Sequence, residues 1–156
     1  MKKITLLVIL FITPVLSLAD ASGIYNCSNK INNVVSVGSQ KFRSTAYQTV
    51  RMTLSPDGSA VSIDLAFPDH PGRGSWSQSG NKIFFTPNYD DVAKNALYGC
   101  SLSGSSCTFL GATYTYNQTI NRAQTIIKGN NKINLTMLVN GQLRTNNATV
   151  ISSCKK

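Results

Sequence analysis

The feature that most constrains the fold of this chain is a turn motif, Pro56-Asp57-Gly58, set between two alternating segments. Apolar and polar residues alternate through Val50–Leu54 before the turn and again through Val61–Leu65 after it. Proline presets φ at the start of such a turn, and glycine accepts the positive φ that the turn requires. Alternation with a period of two turns one face of each segment towards a core. Residues 49–67 are therefore predicted to form a β-hairpin with one buried face.

Similar signals recur along the rest of the chain. Asn140-Gly141 is the strongest kind of short hairpin signal, and residues 79–82 form a second turn-rich junction. Further strands are predicted at residues 31–37, 76–77, 83–86, 107–116, 120–127, 132–139 and 143–152. One helix is predicted at residues 90–99, because acidic residues suit a helix start and glycine suits its end. The pattern predicts an all-β fold, a small antiparallel β-barrel of roughly eight strands with one short helix; a β-sandwich is the alternative.

The N-terminus has the pattern of a bacterial secretory signal peptide. Lys2 and Lys3 precede an apolar run, Ile4–Leu18, and the small residues of Ala19-Asp20-Ala21 follow. The run is shorter than the roughly 18–20 residues that a membrane-spanning helix needs. The sequence therefore predicts a signal peptide at residues 1–21 and a single domain at residues 22–156, with no transmembrane segment after cleavage. The expected location is periplasmic or secreted.

Four cysteines, Cys27, Cys100, Cys107 and Cys154, lie in the exported part. An even number in an oxidising compartment predicts two disulfides, and three pairings are open. We predict Cys100–Cys107, because the residues between them are rich in Ser and Gly, and hence Cys27–Cys154, which ties the first and last strands together. The competing interpretation is a zinc site. No Cys-x-x-Cys pair exists and the chain has one histidine, so no metal and no cofactor are expected.

The chain is basic, with 15 Lys and Arg against 6 Asp and Glu and a net charge of +9 at pH 7. Such an excess favours acidic partners, so an anionic component of the envelope or an acidic protein is a candidate partner. Export argues against nucleic acid. The basic residues are scattered along the sequence, and solvated surface charge that maintains solubility is the competing interpretation.

Candidate catalytic residues are few. His70 is the only histidine, and an Asp69–His70 couple would need a serine nucleophile, but the Gly-x-Ser-x-Gly motif that presents one is missing around Ser77. We interpret His70 as an exposed loop residue. Asp90 and Asp91 are adjacent, whereas a glycosidase needs two carboxylates on opposite sides of the bond that it cleaves. We therefore interpret them as the start of a helix. A non-enzyme is predicted, with a hydrolase using His70 as an alternative.

Aromatic residues are the remaining candidates for function. The ligand-binding candidates are Trp76, Phe84, Phe85, Tyr114 and Tyr116. Rings with polar tips commonly line binding pockets. The competing interpretation is that they fill the interior, since an eight-stranded barrel has room for side chains or for one small ligand.

Short patterns add a resemblance to known proteins. The stretch "TLSPDG" followed by "GSWSQSGNKIFFTP" resembles the hairpin pair of small lipocalin-like barrels of bacterial envelopes. The opening "GIYNC" and the closing "SSC" are similar to the Tyr-x-Cys start and late cysteine of periplasmic lysozyme inhibitors. The resemblance covers about half of the exported chain and implies a binding or inhibitory barrel without chemistry. The loop "SGSSC" lacks the tyrosine of those inhibitors, and Gly74-Ser75-Trp76 lies mid-chain rather than on a first strand, so no functional residue is carried over.

These observations predict an exported, non-enzymatic binding protein of the bacterial envelope. It would hold a small apolar ligand or a protein partner. The alternative is an inhibitor or interaction protein that acts through disulfide-stapled surface loops, either "PDHPGRG" or the loop between Cys100 and Cys107.

Overall fold

The computed structural model describes residues 20–156, which form nine strands and one helix. In chain order these elements are β1 (Gly23–Val37), β2 (Gln40–Leu54), β3 (Ser59–Asp64), β4 (Gly72–Ser79), β5 (Lys82–Pro87), α1 (Tyr89–Ser101), β6 (Cys107–Thr115), β7 (Gln118–Ile120), β8 (Ile126–Val139) and β9 (Gln142–Lys155). The predicted signal peptide lies outside the described residues except for Asp20 and Ala21. Among residues 20–156, no helix is long and apolar enough to span a bilayer.

Eight of the strands close into a ring. Following hydrogen bonds between neighbours gives the order β8-β7-β5-β4-β3-β2-β1-β9, and β9 returns to β8. Every pairing is antiparallel. The remaining strand, β6, continues into β7 and pairs with the far half of β8. The prediction of an all-β fold with a closed antiparallel sheet of eight strands and one short helix is confirmed.

The closing seam of the ring lies between the first and last strands. Cys27 on β1 is directly opposite Cys154 on β9 in the strand register, and the two form a disulfide. The second disulfide joins Cys100 at the end of α1 to Cys107 at the start of β6. Both predicted pairings are confirmed, as is the prediction that β1 and β9 are neighbours.

Local turn chemistry accounts for the three predicted hairpins. The β2–β3 turn contains Gly58 with φ of 83°, and the β4–β5 turn contains Gly80 with φ of 60°. Both residues of the β8–β9 turn have positive φ, 51° at Asn140 and 77° at Gly141, which is the backbone of the turn type that Asn-Gly favours. These turns fix the register of the strand pairs on either side.

The ring is complete at one end only. At the closed end, β3 pairs with Val50–Leu54 of β2, and β7 pairs with Lys82 and Ile83 of β5. Residues 40–49 of β2 extend beyond β3, and β6 extends beyond the pairing of β7 with β5. The sheet is therefore open at its other end, where the β1–β2 and β8–β9 turns lie and where α1 packs against β6.

The hydrophobic core occupies the closed end. Tyr25, Leu54 and Ile127 are fully buried there, and half-buried Trp76 and Phe85 pack against them. The Tyr25 hydroxyl donates a hydrogen bond of 2.7 Å to the carbonyl of Ala21, which is itself fully buried. Ala21, assigned by the sequence to the signal peptide, is thus part of the core of the domain.

Two sequence predictions about the elements need correction, and half of one strand was not predicted. The segment 120–127 is not one strand: residues 121–125 form a turn in which the Asn121 carboxamide oxygen accepts hydrogen bonds from the backbone N–H groups of Thr125 and Ile126. The first half of β2 escaped prediction because its side chains are exposed on both faces and give no alternation. The helix begins at Tyr89 and passes through Gly99 to Ser101, capped by the Asn88 side chain rather than by Asp90.

Candidate functional site

The inward faces of the ring strands, helix α1 and the β3–β4 loop line a cavity of about 540 Å³ that is open to solvent on one side. A second cavity of about 320 Å³ lies towards the open end. The two share lining residues from α1 and from β8 and β9, namely Asn95, Ala96, Gly99, Leu135 and Asn146. Helix α1 therefore forms the boundary between the two, and volumes of this size are typical of small-molecule sites.

Helix α1 is held over the cavity at both of its ends. At its start, the Asp91 carboxylate accepts a hydrogen bond from the backbone N–H of Arg73 on β4 and from the Arg73 guanidinium, at 3.1 and 3.2 Å. At its end, the Cys100–Cys107 disulfide attaches it to β6. The Asp91 carboxylate is buried, whereas the Arg73 side chain is 60% exposed, so the backbone contact is the better protected of the two.

The cavity floor is apolar and a belt of polar side chains lies above it. The Cys27–Cys154 disulfide and Val50 form the floor. One level higher, the Gln48 amide donates a hydrogen bond of 2.8 Å to the Asp64 carboxylate, and the Asn29 amide group contacts the Gln48 oxygen at 3.4 Å. The Asn29 carboxamide oxygen is buried and has no partner among the described residues. An unpaired acceptor in this position is available to a ligand donor.

An aromatic wall faces the belt. The Phe85 ring meets the Tyr116 ring edge to face at 5.3 Å, and Tyr114 stacks on Tyr116 at 6.0 Å. Burial raises the pKa of Tyr114 to about 12, with a smaller contribution from the Tyr89 phenol. Burial also raises the pKa of Tyr116, to which the Tyr114 phenol adds. Both hydroxyls are therefore neutral hydrogen-bond donors near pH 7.

The mouth of the larger cavity is also aromatic. His70 stacks on Tyr98 of α1 with ring centroids 3.6 Å apart, and Phe67 meets the same tyrosine edge to face at 6.0 Å. The interpretation of His70 as an exposed loop residue is wrong, because it is half-buried and lines the cavity. The loop between β3 and β4 thus supplies part of the cavity wall.

The smaller cavity contains an inward-facing cation. Arg144 on β9 lines it together with Val35 and Met137. Its Nε atom is buried without a hydrogen-bond partner, and the one ion pair among residues 20–156 is that of Arg73 with Asp91. Arg144 as a whole is half-buried, and it faces this cavity with no carboxylate of the described chain beside it to balance its charge. The smaller cavity is therefore suited to an acidic group.

The five aromatic candidates divide into two groups. Phe85, Tyr114 and Tyr116 come together on the cavity wall. Trp76 lies at the closed end, where its indole N–H donates a hydrogen bond of 2.8 Å to the Ser55 carbonyl, and it is not part of the lining. Phe84 alternates with Phe85 and so points outward, with 48% of its surface exposed. The structure therefore does not place Trp76 or Phe84 in the cavity.

Sequence reasoning missed the polar residues of the interior. A usable signal existed, since Cys27 must face its partner and alternation then turns Asn29 inward. Alternation counted back from Cys154 likewise places Arg144 on the inward face.

Among residues 20–156, no group of three or more His, Cys, Asp or Glu side chains is arranged to hold a metal ion.

The fold and the site define a small all-β protein whose closed antiparallel sheet surrounds an internal cavity. Its sequence matches no protein-family model, and no curated protein matches it. The resemblance to lipocalin-like envelope barrels and lysozyme inhibitors therefore stays a prediction. The two disulfides indicate an oxidising, extracellular-type environment.

Proposed function

We propose that this protein is an exported binding protein that holds an elongated, mainly apolar small molecule inside its strand ring. The observation that supports the proposal most directly is the pair of adjoining cavities on the inner face of the sheet. A packed barrel of this size would fill that space with side chains. Here the core is confined to the closed end, and the rest of the interior is available to a ligand.

The lining suggests the shape and polarity of the ligand. Ser152, beside Asn29, and Arg144 lie eight residues apart on β9, which corresponds to about 26 Å at about 3.3 Å per residue. Between them the wall contains the apolar residues Val150, Ala148 and Leu135, and also Asn146, whose carboxamide oxygen is buried without a partner in the part of the chain that the structure describes. An amphiphile with a long apolar chain and an acidic end near Arg144 satisfies both features. A hydrogen-bond donor at the other end of the molecule would pair with the Asn29 carboxamide oxygen of the amide belt.

Export to the periplasm or beyond is part of the proposal. The signal peptide is best placed at residues 1–19, because Ala21 is fully buried and its N–H contacts the Gln78 side chain at 3.2 Å. Ser17 and Ala19 are small residues at the −3 and −1 positions of that cleavage site. The intact mass of the exported protein should therefore correspond to a chain that starts at Asp20. A chain that starts at Ser22 would contradict this boundary.

Native mass spectrometry of the exported protein, followed by denaturation, tests for a bound molecule whatever its chemical identity. A mass that is present natively and lost on denaturation supports the proposal and identifies the molecule. If none co-purifies, titration with a fluorescent long-chain carboxylate is the second measurement. A protein that carries nothing and binds no such probe contradicts the proposal.

Matched probes test the acidic end. Dodecanoate and dodecanol share a chain and differ in the head group. Binding of dodecanoate should be the tighter, by about tenfold for each 1.4 kcal/mol of interaction with the guanidinium. Arg144→Gln should remove this preference and keep the affinity for dodecanol. Equal binding of both probes by the unchanged protein would refute the role of Arg144 but leave the cavity as a binding site.

A further inference from the structure

Strand pairing brings scattered basic residues onto one outward face. On the neighbouring strands β1, β9, β8 and the second half of β2, alternate side chains face the cavity and the outside; the same alternation continues into the first half of β2, where both faces are exposed. Seven Lys and Arg side chains point outward from them, and we name this set the basic face: Lys30, Lys41, Arg43, Arg51, Lys128, Lys132 and Lys155. None of these four strands contains Asp or Glu.

The basic face extends in two dimensions. Lys41 pairs with Ser36 near one end of β1, and Arg51 pairs with Asn26 near the other, ten residues away. At about 3.3 Å per residue and about 4.8 Å between strands, the cations cover roughly 33 by 14 Å. A linear polyanion would follow one line of such a patch, whereas a charged surface can contact cations on several strands together.

Exposed apolar groups lie among the cations. Lys30 is flanked across the strands by Tyr47 on β2 and Ile151 on β9. Tyr47 is 78% exposed and Ile151 is 47% exposed. Tyrosine is enriched at membrane interfaces, where its ring lies at the level of the lipid head groups, and the lysine stem can lie along apolar surface with its ammonium in water. This row combines attraction to anions with shallow apolar contact.

We propose that the basic face docks on an anionic phospholipid bilayer, with Tyr47 and Ile151 at head-group level. Charge complementarity supplies the attraction, since juxtamembrane Lys and Arg are drawn to anionic lipid surfaces. The basic face is the outer surface of strands whose inner surface lines the cavity, so docking on this face does not occupy the cavity. The proposal does not depend on what the cavity binds.

A pair of matched triple variants tests the proposal by co-sedimentation with vesicles. The first, Lys30→Gln, Arg43→Gln and Lys132→Gln, removes three charges from the basic face. The control, Lys82→Gln, Lys94→Gln and Arg122→Gln, removes three exposed charges elsewhere. The vesicles contain phosphatidylglycerol and phosphatidylcholine, or phosphatidylcholine alone.

The unchanged protein should bind only the anionic vesicles, and added salt should weaken binding. Each cation near the surface contributes about fivefold in affinity, so the first variant should lose about two orders of magnitude and the control much less. Circular dichroism confirms that both variants are folded. Equal losses in the two variants would overturn the proposal, because net charge alone would then explain binding. Binding of a soluble polyanion but not of anionic vesicles would also overturn it.

Discussion

Gly99 is the position at which one added side chain would enter the space where the two cavities adjoin. It lies in α1, lines both cavities, and a Cβ placed on it would meet no atom within 4 Å. A phenylalanine there enters open space instead of a packed core. We therefore expect the ring of Gly99→Phe to fill part of the space where the two cavities adjoin while the helix keeps its place.

Gly99→Phe should raise the stability of the protein and lower its affinity for a ligand. Replacing glycine within a helix removes backbone freedom from the unfolded chain, which should raise the free energy of unfolding by about 0.5–1 kcal/mol. An aromatic side chain covers roughly 150–250 Å² when it is buried. If roughly 100 Å² of this area replaces ligand contact, the loss at about 25 cal/mol per Å² is about 2.5 kcal/mol, or about 70-fold in affinity.

Urea unfolding and titration with a fluorescent long-chain carboxylate measure the two effects in the same preparations. Gly99→Ala isolates the backbone contribution and should stabilise the protein with little change in affinity. Leu97→Phe is the matched control, because Leu97 is on the same helix and is exposed like Gly99, but it is not part of the lining of either cavity. Unchanged affinity in a folded Gly99→Phe protein would refute the idea that a ligand passes this position. A destabilised Gly99→Phe protein would show that the space is not open.

Three further predictions concern stability and titration. Replacing both Cys27 and Cys154 with alanine removes a link between residues that are 127 apart in sequence, and it should lower the free energy of unfolding by about 4–5 kcal/mol in the chain-entropy model. A loss no larger than that caused by removing the Cys100–Cys107 disulfide would contradict this. Asp91→Ala leaves the backbone N–H of Arg73 on β4 unpaired and should lower the free energy of unfolding by about 1–3 kcal/mol. Arg73→Met should lower it by less than about 1 kcal/mol, because the Arg73 side chain is exposed. Similar urea midpoints for the two variants would contradict this ranking. Burial raises the pKa of Tyr114 and so favours its neutral form in the folded state. The stability that this residue contributes is therefore complete below pH 10 and declines as the pH rises towards about 12. An ultraviolet titration in which Tyr114→Phe removes an ionisation step near pH 10 would contradict the burial.

Much of the fold could be predicted from the sequence because its determinants are local. The turn residues Gly58 and Asn140-Gly141 specify hairpins without help from the rest of the chain. The disulfides followed from the composition of the loop between Cys100 and Cys107, which left one partner for each remaining cysteine. Helix α1 begins one residue before the predicted start, since Asn88 rather than Asp90 caps it, and it does not end at Gly99 but continues through Cys100 to Ser101.

The cavity could not be predicted, because alternation reports which side of a strand a residue is on and not where its side chain reaches in the interior. Trp76 and Phe85 both face inward and are opposite one another on β4 and β5. Trp76 nevertheless reaches the closed end, where the Ser55 carbonyl accepts its N–H, and Phe85 reaches the cavity. The basic face could not be predicted either, because Lys30, Arg43 and Lys132 become neighbours only through pairing between strands that are distant in the sequence.

The seam between the first and last strands has a consequence for the order of events during folding. A chain that emerges from its N-terminus can form the β1–β2 hairpin at once, but the other edge of β1 has no partner until β9 arrives. Until then the Cys27 thiol is exposed to oxidation with the wrong cysteine. Cys100 and Cys107 are seven residues apart, whereas Cys27 and Cys154 are separated by 127 residues. The shorter loop therefore closes sooner. Early oxidation of the short loop removes both wrong partners of Cys27, and the timing of closure itself then directs the correct pairing.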